Sequence, residues 1–348
     1  MLKAKSIPFV VRIIVAVLLP ILAKPSIASA SGPAAAPTCD PIASLDVKNF
    51  TSPTKIDNQY YSLAPGTQWT LQGRIKVNNI IKAHQIIFTV TDLTKVVDGV
   101  TTRVLWDLDT NGGRIAEAEL AFQAQDNSGN VWVFGEYPEE YNAAGKFTGA
   151  PATWFSGIAG AKGGILVPGQ PQVGTAFLQG FSPKINFVDC GKTASTTQES
   201  CDSLGCYAGV VVVDEWNPSE ANSGIQVKYY APGVGNFKIG ALNDPEAETL
   251  LLVDAKHLSA DELAAADQEA LKLEKHAYEV SAVYAQTLAI GAGAPPAGAA
   301  GGASEAPDSP AETAVISPAP AAALPAFTGW DDFCVSWLKY HAVNFPPC

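Results

Sequence analysis

The sequence predicts a mainly β fold: an antiparallel meander, curved into a half-barrel-like sheet, with one long α-helix at its C-terminal end. Three observations predict it. Turn signals such as Asp98-Gly99 and Asn111-Gly112-Gly113 recur between apolar runs, and they are the strongest short-range mark of a hairpin. The runs between them alternate with period two. One late stretch switches to helical spacing behind a capping box.

Residues 1–30 read as a cleaved signal peptide, with a basic start (Lys3, Lys5, Arg12), an apolar stretch at 13–23 and a small-residue site at Ala28-Ser29-Ala30. The apolar stretch contains Pro20 and falls well short of the roughly 20 residues of a spanning helix. No stable membrane span is expected, and the chain is read as periplasmic or extracellular. Losing the leader's four bases, Lys24 being the fourth, takes the formal net charge from -12 to -16. That acid excess argues against nucleic acid or an anionic membrane surface as partner.

Residues 31–58 form a Pro/Ala-rich lead-in, and residues 59–286 the β domain. Within it, Ile86, Phe88 and Val90 alternate with polar neighbours, then Asp98-Gly99 turns the chain into a strand over 101–108. The next strand, 114–125, is the clearest. Ala116, Ala118, Leu120, Phe122 and Ala124 share one face, while Glu117, Glu119, Gln123 and Gln125 share the other. The apolar face is expected to be buried and the polar face solvated. Asn127-Ser128-Gly129-Asn130 then leads into a strand over 131–137. Residues 142–174 hold eight glycines and read as a long loop around Trp154. Strands resume over 173–180, 184–188, 207–216, 225–230, 236–239 and 249–253.

A helix over 259–286 closes the domain. Ser259 and Glu262 form its capping box. Leu263, Ala266, Ala270, Leu273, Ala277, Val280 and Tyr284 make an apolar stripe rich in alanine, which favours packing on the chain's own sheet. A monomer is expected, with a dimer through that stripe as the alternative. Residues 287–326 are an Ala/Gly/Pro linker expected to be disordered. Residues 327–348 form an aromatic tip carrying Cys334 and Cys348.

Six cysteines, Cys39, Cys190, Cys201, Cys206, Cys334 and Cys348, favour structural disulfides in an exported chain. Fifteen pairings are open. Spacing suggests Cys201 with Cys206 and Cys334 with Cys348.

Four blocks carry a resemblance: YSLAPGTQW (61–69), VTDLTKVVDG (90–99), AQDNSGNVWVFGE (124–136) and KYYAPGVG (228–235). With them, residues 59–286 resemble an uncharacterised exported bacterial family, a domain of unknown function. Ala152-Thr153-Trp154 and Val133 depart from its pattern. The strand openings are also remotely similar to half-barrels of the lipoprotein-carrier type, which implies a curved sheet under a helix cradling an apolar ligand.

Three constellations bear on chemistry. Asp107, Asp109, Asn111 and Gly112 open like a calcium loop, although Ala118 stands where its closing Glu belongs; a plain Asp/Asn/Gly turn is the competing reading. Glu117 and Glu119 are a carboxylate pair on one strand face, suited to acid/base work on a glycosidic bond. Trp132, Glu136 and Trp154 are the candidate binding residues, with Trp132 a sugar-stacking face. No nucleophile elbow, zinc motif or phosphate loop occurs, and His84 reads as a satisfied sheet residue.

The expected function is non-enzymatic, the binding or carriage of a small molecule, lipid or glycan in a concave apolar cavity, with no cofactor beyond the calcium alternative. The second reading is an extracellular hydrolase of a glycan-like polymer using Glu117 and Glu119. The third is a structural or adhesive surface protein acting through the tip.

Overall fold

The computed structural model describes Cys39 and residues 44–220 and 222–291; the expected signal peptide, most of the expected linker and the expected tip with Cys334 and Cys348 lie outside them. A small hairpin, β1 (Asp57–Asn58) and β2 (Tyr61–Ser62), comes first. Five long strands follow: β3 (Thr67–Val77), β4 (Ile80–Val97), β5 (Val100–Asn111), β6 (Arg114–Gln125) and β7 (Val131–Tyr141). Next are the short β8 (Phe147–Gly149), β9 (Trp154–Phe155) and β10 (Lys162–Val167). Then β11 (Ala176–Ser182), β12 (Phe187–Cys201), β13 (Cys206–Trp216), β14 (Ile225–Ala231), β15 (Gly235–Leu242) and β16 (Thr249–His257) lead to α1 (Ala260–Val280).

The fold is mainly β, antiparallel and meandering, with the expected helix at its end; the helix stops at Val280, short of the expected 286, and Tyr284–Gln286 is a separate 3-10 turn. The hairpins at Asn78-Asn79, Asp98-Gly99 and Gly112-Gly113 all have positive φ at both central residues, the twist that two-residue hairpins require. The curvature goes further than a half-barrel. β16 pairs with β3, and β7 pairs with β10, so twelve strands close into a barrel. Closure leaves no open edge along this seam.

The closing strand comes from the glycine-rich stretch read as a loop. Glycine is what lets it lie there. A Cβ on Gly164 of β10 would sit 2.2 Å from the carbonyl oxygen of Leu178 in β11. Gly135 of β7 is similarly pressed, its would-be Cβ 2.7 Å from the carbonyl oxygen of Trp154. The segment holds small residues because three backbones converge there, not because it is mobile.

The two faces of β6 meet different surroundings. Ala118, Leu120, Phe122 and Ala124 face outward and are buried beneath Ala270, Leu273 and Ala277 of α1. The alanines of the stripe thus pack on the chain's own sheet. The capping box forms, with Ser259 and Glu262 each bonding the other's backbone. Glu117, Glu119, Ala121 and Gln123 face the lumen. The polar face is therefore interior, where the sequence reading had it solvated.

The hairpin β1–β2 is tucked against one end of the barrel. Ile56 and Leu63 are buried among Val90, Leu105, Val131 and Val167, and Gln125 accepts backbone hydrogen bonds from Asp57 and Asn58 at 2.9 and 2.8 Å. Among the described residues two disulfides form, Cys39–Cys190 and Cys201–Cys206. The second, expected from spacing, staples the tip of the β12–β13 hairpin. Disulfides of this kind persist in oxidising compartments. No helix among the described residues is long and apolar enough to cross a membrane.

Candidate functional site

Register places a band of carboxylates inside the barrel. On β5 and β6, Asp107 lies directly opposite Glu119, and Asp109 opposite Glu117. One strand further, Glu136 of β7 lies opposite Ala121. Cross-strand partners sit about 4.5–5.5 Å apart at Cβ, where like charges repel. These five side chains and Glu248 line a cavity of about 270 Å³. The same wall holds Trp69, Phe88, Tyr61 and Tyr230, with Leu105, Ile86 and Ile239 between them. The cavity is acid-lined with aromatic walls, which corrects the expectation of an apolar one.

Among the described residues the wall carries one amine, Lys228 of β14. It is already committed: its Nζ is 2.7 Å from Oε2 of Glu215, whose Oε1 accepts from Gln179 at 2.8 Å. Burial opposes the Lys228 charge, but the Glu215 carboxylate outweighs it and holds the pKa well above the ordinary lysine value. Two residues of the wall, Gln123 and Asn236, each bury an amide oxygen, Oε1 and Oδ1, that has no protein partner and is closed off from the open cavity space. Gln123 is only 4% exposed. Buried acceptors are normally satisfied, so each such exception asks for an explanation.

Burial is the main force on the carboxyls, and neighbouring carboxylates add to it. Asp107 and Glu119 are raised well above the ordinary range, Asp109 is pushed up to about 8, and Glu117 to about 7. Glu136 is raised as well, again chiefly by burial, with the Trp154 indole opposing the rise. At the edge of the band, His84 of β4 is buried between Asn111 and Glu248. Its Nδ1 is 2.8 Å from Oδ1 of Asn111, and its Nε2 is 2.9 Å from Oε1 of Glu248. Burial disfavours the imidazolium, yet the bond to Glu248 and the charges of Glu248 and Asp109 raise its pKa overall.

The residues singled out from sequence divide. Glu117, Glu119, Glu136, Asp107 and Asp109 converge on the lumen. The calcium-loop reading does not hold. Asp107, Asp109 and Asn111 lie on the extended strand β5, the turn itself is Gly112-Gly113, and Asn111 bonds His84. Among the described residues no group of three or more His, Cys, Asp or Glu is disposed to hold a metal ion. Trp132 is on the outer face, 4% exposed against Phe50 and Phe134, its Nε1 donating to Asp126 at 2.9 Å. It has no free face for a sugar. Trp154 is 1% exposed and packs on Phe187; it touches the site only by donating from Nε1 to Oε2 of Glu136 at 2.9 Å. It positions that carboxylate and does not contact the cavity.

Sequence reasoning missed Trp69, Gln123, Lys228, Tyr230 and Glu248. Two of them, Lys228 and Tyr230, alternate within the KYYAPGVG block, and period two already put them on one face. Nothing in the sequence showed that this face looks across a lumen at Asp107.

No protein-family model and no curated protein matches the chain. Two solved structures are similar over 57% of this chain and 98% of theirs. One is a candidate exported protein with a YmcC-like fold from Bacteroides fragilis, at 12% identity and a TM-score of 0.31. The other is a candidate lipoprotein from Parabacteroides distasonis, at 11% identity and a TM-score of 0.31. Likeness at that level carries no argument about activity.

Proposed function

We propose that this is an exported, non-enzymatic binding protein that holds a small polar ligand inside the barrel, in the periplasm or outside the cell. One observation carries the reading: a cavity walled by six carboxylates also buries acceptors with no partner. An arrangement that costs stability when empty is retained where a guest compensates it. The acid band disfavours a fatty acyl chain, which would desolvate the carboxyls and offer them no donor. The disulfides and the leader support export.

Native mass spectrometry of the oxidised, gently purified chain tests this. The expected result is an adduct of small-molecule mass that is weakened by Glu119→Gln. A bare mass, joined by no thermal shift with amines, sugars, amino acids or divalent cations, would overturn the reading.

A hydrolase remains the second reading, favoured by Glu117, whose pKa of about 7 suits a general acid beside other carboxyls. It expects Glu117→Gln to abolish turnover of an oligosaccharide while the fold survives. The binding reading expects no turnover to lose.

A further inference from the structure

We propose that the ligand of the barrel lumen is a small organic ammonium, its charged nitrogen seated among Asp107, Glu119 and Glu136 and its carbon skeleton against Trp69 and Phe88. This rests on the binding reading and names the chemical class of the guest.

Charge comes first. The cavity wall carries six carboxylates, and its one amine, Lys228, is held by Glu215 at 2.7 Å. A guest anion would bring the carboxyls no compensating charge and would disfavour their ionisation further. A neutral guest would leave the carboxyls facing one another at cross-strand distance. A cation offsets both the burial of the carboxyls and their mutual repulsion, the two causes that raise them.

Hydrogen-bond polarity points the same way. The carboxyl oxygens of Asp107, Asp109, Glu117, Glu119 and Glu136 line the cavity and accept once ionised, and an ammonium with N–H groups is a donor with no acceptor of its own.

The remaining wall separates an organic cation from a metal ion. Trp69 and Phe88 offer ring faces, which attract alkylammonium groups, and Leu105 and Ile86 offer apolar contact. A hard metal ion needs six or more oxygens around it, and among the described residues no group suited to metal is present. Size sets the limit. At about 270 Å³ the cavity lies near the lower end of ordinary small-molecule pockets, ~300–1,000 Å³, which suits a short amine.

Isothermal titration and thermal shift on the full oxidised chain at pH 8 and low salt test the class. The probes are putrescine, 3,3-dimethylbutylamine, calcium and 3,3-dimethyl-1-butanol, the uncharged shape-mimic of the second amine. The expected result is binding and stabilisation by putrescine or 3,3-dimethylbutylamine and none by the butanol. Glu119→Gln and, separately, Asp107→Asn should each weaken the amine by about tenfold or more, the worth of a hydrogen bond to a charged group. Equal binding of 3,3-dimethylbutylamine and the butanol, or binding of calcium alone, would overturn the ammonium class and leave a lumen binding site standing. An amine that binds the wild type and both variants alike would place it elsewhere on the protein and overturn the assignment. No response to any of the four probes overturns it too; an adduct in native mass spectrometry would then show whether the binding reading itself survives.

Discussion

Two regions of this barrel bury charge, one outside its wall and one within. Outside, beneath α1, Lys95 is fully buried with its three N–H donors taken. Its Nζ meets Oε1 of Glu274 at 3.0 Å, the Tyr278 hydroxyl at 3.4 Å and the carbonyl of Leu288, with the Tyr284 ring centred 4.4 Å away. Glu274 in turn accepts from the Ile290 backbone at 2.8 Å and the Tyr284 hydroxyl at 3.3 Å. Within the lumen, carboxylates outnumber amines, Lys228 belongs to Glu215, and Gln123 and Asn236 have acceptors to spare. A buried charge whose partners are complete pins α1 and the 284–291 segment to the sheet, and it is architecture. A buried surplus of one sign with unpaired acceptors is costly by itself, which is the mark of a place for a guest.

The contrast breaks most visibly at Lys95. Lys95→Met leaves Glu274 charged and unpaired, and should cost about 3 kcal/mol or more. At roughly 2–4 °C per kcal/mol for a domain of this size, melting should fall by about 10 °C. The double variant Lys95→Met/Glu274→Leu should recover most of that loss in the same calorimetric scan. Amine binding should survive in both.

Glu119→Gln should do the reverse. Removing one of two facing carboxyls relieves repulsion, so stability at pH 8 should rise by about 1 kcal/mol while amine affinity falls. A loss as large as that of Lys95→Met would mean that the lumen is as fully satisfied as the outer pair, and the distinction would collapse.

Acidity sharpens the comparison. Asp109 and Glu117 titrate near 8 and 7 in the folded state, against ordinary values of 3.8 and 4.5. A raised folded pKa means that the native state binds more protons than the unfolded chain. Stability is then fully present below about pH 4 and is lost as pH rises through 7 to 8. The raised His84 adds in the same direction. Melting should be several degrees higher at pH 5 than at pH 8, and saturating putrescine at pH 8 should restore part of the difference. A flat profile without ligand would show that the carboxyls are already compensated. The smallest effect expected is at Trp132. Trp132→Phe removes the bond to Asp126, which should cost about 1 kcal/mol and leave amine binding unchanged in titration.

Legibility followed distance along the chain. β6 was readable to its ends at Arg114 and Gln125, because a strand bounded by short turns needs only its neighbours. The capping box of Ser259 and the stripe of α1 were readable for the same reason. Glu117, Glu119 and Glu136 were found as a group because β6 and β7 are joined by a short turn. Trp132 was misjudged: alternation shows that it and Glu136 share a period but not that the bulge between Phe122 and Gln123 shifts the register between them. The glycine-rich stretch was misjudged because glycine serves both loops and close backbone approach, and only the contact of Gly164 with Leu178 decides which.

By itself the sequence determined the hairpins at Asp98-Gly99 and Gly112-Gly113, the start of the helix and its cap, the split of β6 into an apolar and a polar face, and one of the two disulfides among the described residues. These rest on backbone angles and on periodicities within a few residues. The tertiary structure alone decided which face is interior. Once β7 pairs with β10 the sheet has an inside, and the helix covers the outside. The carboxylates that a half-open sheet would turn to water are then held against Trp69 and Lys228 from strands far away in the chain. Period two fixes that side chains alternate; only closure and the position of α1 fix which alternate is buried, and with what.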